Sequence, residues 1–239
     1  MEETQSLLQL LSLGAGGWGD ELLLGALLTI TLALTTLPFG LALGFLVALA
    51  KNSDEPSLVA NGTIFTTIFR GLPELLTLFL VYYGGQPILQ AGWSALGGGY
   101  IEISPFVAGV IALSLVLGAF SSEVFLAAMR AIPKGQDEAG AALGLTRFQG
   151  LRLIQLPQII RIALPGLSNL WLVLLKDTSL VSVIALNDLL RQTNIAVGST
   201  KQPFLFYAVA CLIYLTLSLV SSIGLTRIET WADKGRRNA

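Results

Sequence analysis

The stretch Val107-Ala108-Gly109-Val110-Ile111-Ala112-Leu113-Ser114-Leu115-Val116-Leu117-Gly118-Ala119-Phe120 carries no charged residue and a single hydroxyl. Wound as a helix it has no polar face to turn to water, so a surface helix of a soluble domain is excluded. Extended to its polar flanks, the run covers about Ser104 to Met129. At ~1.5 Å per residue that is long enough to cross the ~30 Å hydrocarbon layer of a bilayer. The whole chain repeats the pattern: 54% of its 239 residues are hydrophobic, 12% are charged and the mean hydropathy is +0.74. A soluble domain carries about 25% charged residues. An all-α polytopic membrane protein is the expected fold.

Five spans can be read, in one membrane domain over residues 1–239. The first, 21–50, is longer than a bilayer needs and contains Pro38, so tilt, a kink or an extension beyond the bilayer must absorb the excess. Lys51-Asn52-Ser53-Asp54-Glu55-Pro56 ends it as a polar turn. The second, 57–83, is interrupted by Arg70-Gly71-Leu72-Pro73-Glu74 and reads as a broken or bent helix. A glycine-rich connection without Lys or Arg, Gly84–Tyr100, leads to the third span at 104–129. The segment Arg130–Arg161 is basic and amphipathic, and spans at 164–186 and 203–228 follow before a basic tail, Lys234-Gly235-Arg236-Arg237.

Lys and Arg set the expected orientation. Lys51, Arg130, Lys134, Arg147, Arg152, Arg161, Arg227, Lys234, Arg236 and Arg237 fall on one side, and only Arg191 and Lys201 on the other. Ten against two is a strong positive-inside bias, placing the N-terminus outside, the C-terminus and Arg130–Arg161 inside. Glu2 and Glu3 replace the basic start of a cleavable signal peptide, so none is expected. No internal repeat is visible, and five spans do not divide into the two related halves of many secondary carriers. The chain is expected to make half or less of a pathway.

Several chemistries are absent from the sequence. There is no histidine, and the single cysteine, Cys211, lies in an apolar run. Neither a metal cluster nor a nucleophile–base set can be assembled, so no catalytic residue, metal site or cofactor is expected. No Gly-x-x-x-x-Gly-Lys-Ser/Thr phosphate loop occurs, so any ATP must be held by another polypeptide.

The inside loop is the most informative segment. Pro133-Lys134-Gly135 reads as a turn, and Asp137 and Glu138 fall in a first helical turn, where carboxylates suit the helix dipole. Ala139 to Leu143 is short-side-chain helix that Gly144 should end, and a second arm, Phe148 to Pro157, returns to the membrane. Periodicity alone fits an interfacial amphipathic helix. The spacing says more. Glu138-Ala139-Gly140, three residues, Gly144, nine residues, Ile154, one residue, Leu156-Pro157 resembles the EAA loop of ATP-binding-cassette importer permeases, with Gly140 in place of the second alanine. Arg70-Gly71-Leu72-Pro73-Glu74-Leu75-Leu76, Ile132-Pro133-Lys134-Gly135-Gln136, Leu156-Pro157-Gln158 with Ala163-Leu164-Pro165, and Lys176-Asp177-Thr178-Ser179-Leu180 extend the likeness over the chain. They resemble permeases for polar amino acids of the histidine, arginine and opine type.

That resemblance implies a type I importer permease core, multi-pass in the bacterial cytoplasmic (inner) membrane, working by alternating access. It implies an ATP-binding subunit dimer docked on the 130–161 loops, a second permease subunit, either a non-identical homologue, as in the most similar systems, or a second copy, and an external (periplasmic) solute-binding protein. Membrane lipid surrounds it, and no nucleic acid is expected among its partners. The residues expected to meet the ATPase are Asp137, Glu138, Ala139, Gly140, Ala142, Leu143 and Gly144, and the expected solutes are basic amino acids or opines. An independent carrier or channel for small polar solutes is the alternative; a membrane enzyme lacks every residue it would need.

Charges inside spans cost about 2.5–3.5 kcal/mol each at a helix centre, so they default to functional hypotheses. The candidate substrate path is Glu123, Ser122, Lys176, Asp177 and Arg70. Glu123 either meets a cationic solute, pairs with Arg70 or Lys176, or sits at the interface. Arg70 and Glu74 are four apart and either pair or straddle a break. Lys176 and Asp177, adjacent in sequence, point to different sides of a helix and suit contacts across subunits or with the loop. Asp188 and Arg191 read as a solvated loop end. Gly40-x-x-x-Gly44 with Ala48 offers close packing within the chain. Trp18 and Trp93 outside and Trp231 inside fit interfacial anchors.

Overall fold

A computed structural model of the chain describes residues 7–14, 16–133 and 135–233. Its regular elements are all helices. They are α1 (Leu7–Leu10), α2 (Gly19–Lys51), α3 (Pro56–Gly71), α4 (Glu74–Phe79), a π turn (Leu80–Gly84), α5 (Gly85–Ala95), α6 (Pro105–Arg130), α7 (Gly135–Ala142), α8 (Arg147–Gly150), a second π turn (Leu151–Gln155), α9 (Leu156–Asp177), a 3₁₀ segment (Thr178–Ile184), α10 (Leu189–Thr200) and α11 (Pro203–Asp233). Four continuous stretches are long and apolar enough to cross a membrane: Gly19–Lys51, Pro105–Arg130, Arg147–Ile184 and Pro203–Ala232. The pair Pro56–Gly71 and Glu74–Ala95, bent by 107°, is together long and apolar enough as well, which gives five among the described residues when the pair is counted as one span.

The breaks follow local chemistry. Helix α2 starts with Asp20 and Glu21 and ends with Lys51, charges that complement both ends of its dipole, and it runs unbroken through Pro38. In the second span Leu72 is extended (φ −89°, ψ 140°), as the residue before Pro73 must be. Its N–H still bonds Ile68 O at 3.0 Å, closing α3 before the chain turns.

Two stretches differ from expectation. Helix continues past Tyr83 to Ala95, so Gly84–Tyr100 is only partly a loop. Gln86 and Gln90, one turn apart on α5, hold the returning chain: Gln86 donates to Ile101 O (2.7 Å) and accepts from Ile103 N (2.8 Å), while Gln90 accepts from Ile101 N (3.0 Å) and donates to Gly99 O (3.1 Å). The helix that carries the fourth span begins at Arg147, well before Leu164, because the second arm of the loop runs into α9 without a break. A π turn just precedes Pro157, where an ordinary helix would set the proline ring against the carbonyl four residues back.

The chain forms two compact units. One comprises Met1–Thr36, Glu74–Leu113 and Leu174–Val220. Its core gathers Leu10, Leu22, Ala26, Leu189, Ala196, Phe206 and Ala210. The connection between spans four and five is not open loop: α10 lies in it, started by Asp188, which is fully buried. The other unit comprises Leu37–Pro73, Ser114–Val173 and Ser221–Ala239. Ala48, Phe125, Leu126, Ala128, Ile159 and Ala163 form its core, with Phe45 edge-on to Phe125 at 5.4 Å. Here Gly40 and Gly44 face α6 so closely that a Cβ at Gly40 would stand 2.5 Å from Leu117 and one at Gly44 would overlap Ser121 Oγ. With lipid as apolar as leucine, such backbone approach, rather than hydrophobic burial, holds membrane helices together.

Candidate functional site

The segment between α6 and α9 folds as a small hairpin. Helix α7 ends in a Schellman motif: Leu145 N bonds Gly140 O at 3.1 Å, Gly144 N bonds Ala141 O at 2.9 Å, and Gly144 takes φ +76°. Thr146 then caps α8 reciprocally, its hydroxyl accepting from Gln149 N (3.3 Å) while Gln149 Oε1 accepts from Thr146 N (2.9 Å). The Thr-x-x-Gln pattern of this box was there in the sequence and went unread. Gln158 on α9 donates to Gln136 Oε1 on α7 at 3.1 Å, tying the arms.

Glu138, Ala139, Ala142, Leu143 and Gly144 are exposed, Leu143 by 80%. Gly140 is not among them. It is buried, and a Cβ there would stand 3.1 Å from Ile154 Cδ1. The missing side chain lets Ile154 of the opposite arm pack close, so Gly140 faces the inside of the hairpin. Lys134, the Asp137 side chain and the tail residues Lys234, Arg236 and Arg237 lie outside the described residues. A cleft of about 580 Å³ opens beside the hairpin, lined by Leu49 and Asn52 at the end of α2 and by Glu138, Thr146 and Ile154 among others.

The same unit holds a charge network. Lys51 Nζ contacts Glu123 Oε1 at 2.5 Å and donates to Thr66 Oγ1 at 3.2 Å. Arg70 Nη1 lies 3.4 Å from the same carboxylate oxygen, and its guanidinium sits 5.5 Å above the Phe120 ring. Glu123 is thus paired with Arg70, as one sequence reading allowed, and with Lys51, which no reading foresaw because it had been assigned to a polar turn. Arg70 and Glu74 straddle the Leu72-Pro73 break. Ser122 is fully buried and donates to Ala119 O of its own helix at 2.7 Å.

The remaining candidates lie in the other unit. Lys176 is exposed and Asp177 half-buried at the end of α9, where Glu74 acts on Asp177 electrostatically. Asp188 was expected in solvent. Instead it caps α10, accepting from Arg191 N (3.0 Å) and Leu190 N (3.4 Å), and burial pushes its carboxyl from 3.8 up to about 6 despite those bonds. The physical reason for the difference is that a cap carboxylate must lie over the first turn it serves, and that turn packs in the core with Leu189. Among the described residues no group of three or more Cys, Asp or Glu side chains is placed to hold a metal.

Residues 37–234 match the family model described as binding-protein-dependent transport system inner membrane component. The chain is 46% identical to the nopaline transport system permease protein of Agrobacterium fabrum over 97% of its own length and 99% of the relative's. It is 39% identical to the histidine/lysine/arginine/ornithine transport system permease protein of Escherichia coli, covering 93% and 98% of the two chains. Among solved structures, a crystal structure of an amino acid ABC transporter with histidines superposes with a TM-score of 0.74 at 30% identity, over 89% of this chain and 94% of that one. An inward-facing methionine ABC transporter shares the fold, with a TM-score of 0.71 at 17% identity over 90% and 97%.

Proposed function

Because the chain belongs to the family of binding-protein-dependent transport system inner membrane components, we propose that it forms, with a second permease subunit, an ATP-driven import path for cationic amino acids or opines. It is a permease of an ABC importer and a multi-pass protein of the bacterial inner membrane. An independent carrier or channel falls away with that membership. Beyond this stand the proposals: the N-terminus outside, the Arg130–Arg161 loop inside, a pair of ATP-binding subunits docked on the loops, an external binding protein delivering solute, and a non-identical permease partner.

The observation that carries the coupling role is the capped hairpin from Gly135 to Gln155, fused to the fourth span. A hairpin whose turn is closed by a Schellman motif followed directly by a capping box, and whose arms are tied by Gln158 and Gln136, moves as a rigid piece. Its second arm continues through α9 and the 3₁₀ segment to Ile184 without a break. Force applied at Ala139, Ala142, Leu143 and Gly144 therefore travels along one helix. When two ATPases close on ATP, the hairpins are carried together and the path turns outward; release turns it inward. The chain needs two packings close in free energy that its partners can bias.

For the solute, the support is chemical. The relatives named for nopaline and for histidine, lysine, arginine and ornithine transport handle solutes with cationic groups. Asp177, half-buried at the end of α9, is an ionisable side chain within a span and so a candidate contact for such a group. Uptake of labelled arginine by vesicles holding the assembled complex tests this: Asp177→Asn should raise KM for cationic solutes more than it lowers kcat. Unchanged kinetics for every cationic solute would remove Asp177 from the path.

A further inference from the structure

We propose that Glu123 is a positioning residue of the transport reaction, a single carboxylate that changes hands between Lys51 and Arg70 as the chain moves between its two packings; this rests on the importer reading above. The three residues sit on three different helices, α2, α3 and α6. Two cations face one carboxylate oxygen, and they hold it unequally. Lys51 is in full contact at 2.5 Å with 11% of its side chain exposed, while Arg70 stands off at 3.4 Å with 46% exposed. The carboxylate pairs with both at once but holds them unequally, so the arrangement has a filled place, at Lys51, and a waiting one, where Arg70 stands off.

The site is built to hold the lysine. Gly62 on α3 is buried, and a Cβ there would stand 2.6 Å from Lys51 Cγ, so the missing side chain forms the slot through which the lysine stem crosses α3. Thr66, one turn further along α3, accepts from the ammonium. The waiting place is built as well: Phe120, nearly one turn before Glu123 on α6, supports the Arg70 guanidinium from below. Arg70 is the second-last residue of α3, directly before the Leu72-Pro73 break, and Lys51 is the last residue of α2. Glu123 lies two turns before the end of α6, where the docking hairpin starts.

Stability does not explain such a cluster. Ion pairs exposed to this degree add little to stability, and the best-attested use of a paired charge inside a protein is to set register or a switch. Here a small slide of α6 relative to the ends of α2 and α3 exchanges one partner for the other. The exchange leaves the number of ion pairs unchanged, which keeps the two packings close in free energy.

The test uses the reconstituted complex with its ATPase, in vesicles of Escherichia coli polar lipid, reading ATP hydrolysis without solute and solute taken up per ATP. Lys51→Met leaves only Arg70 for Glu123, and Arg70→Met leaves only Lys51. The two variants should move solute-free hydrolysis in opposite directions, each by about two- to fivefold, the range that a partly exposed ion pair supports. Glu123→Gln should lower solute per ATP while the ATPase still co-purifies, and Glu123→Asp should recover part of it. Shifts of Lys51→Met and Arg70→Met in the same direction, or a parental solute-per-ATP ratio in Glu123→Gln, overturn the exchange. If Lys51→Met fails to assemble, Arg70→Met against Glu123→Gln still decides: equal effects of both on solute-free hydrolysis reduce the cluster to a structural tie. Absence of ATP-driven uptake by the unmodified complex would instead overturn the importer reading, a separate outcome.

Discussion

Gly144 stands at φ +76°, and no neighbouring atom lies within 4 Å of where its Cβ would be. Substitution there meets no clash inside the chain, so the backbone conformation and the outer surface are the two things that change. An L residue in the left-handed region costs roughly 1–2 kcal/mol, less for Asn, whose side chain can bond locally. That corresponds to about a 5- to 30-fold fall in the closed hairpin relative to open forms. Gly144→Asn should then bind the ATP-binding subunit nearly as well as the parent, and Gly144→Ala about fivefold or more weakly by the same reckoning. Gly144→Arg adds a long side chain to an exposed docking residue and should abolish co-purification altogether. Membrane insertion is unaffected in all three, since the hairpin is outside the apolar core. The assay is titration of detergent-solubilised permease with the ATPase subunit. Equal affinity for Ala, Arg and Gly at this position would refute both the role of the turn and the docking face.

Other expectations follow from particular contacts. Gly44→Ala drives a methyl into Ser121 Oγ and should destabilise the fold by about 1–3 kcal/mol of overpacking, read as a lower thermal midpoint in detergent; adding Ser121→Gly should recover only part of it, because Gly118 O still stands 2.9 Å from the new Cβ. Asp188→Ala removes the cap of α10 and should cost about 1 kcal/mol, with Asn largely preserving it. The raised carboxyl of Asp188 has a pH signature: the folded form binds its proton up to about pH 6 and the unfolded form only up to 3.8, so its contribution weakens as pH rises through that window. The thermal midpoint should fall less between pH 4 and 6 in Asp188→Asn than in the parent; equal slopes would remove Asp188 as the cause. Gln90→Leu should unfasten the chain at Gly99 and Ile101, seen as faster amide exchange at Ile101, which donates to it.

Much of the fold was legible because membrane helices write their presence in apolar runs, and the bend of the second span because Pro73 dictates it. The hairpin turn was legible too, since Gly144 marks a left-handed position. What was not legible depended on partners distant in sequence. Lys51 looked like a turn residue because nothing local reveals that it crosses Gly62 to meet Glu123, 72 positions away. Asp188 looked solvated because the sequence shows a polar cluster without showing that α10 folds back into the core. Gly140 looked like surface because its reason is Ile154 on the other arm. That the helix of the fourth span starts as early as Arg147 was hidden by Pro157, which a π turn lets the helix pass.

Coupled uptake by defined vesicles tests the central claim most directly. Labelled arginine or nopaline should accumulate only when this chain, its partner permease, the ATP-binding subunits and the external binding protein are present together with ATP. Accumulation by vesicles lacking the ATP-binding subunits would contradict it.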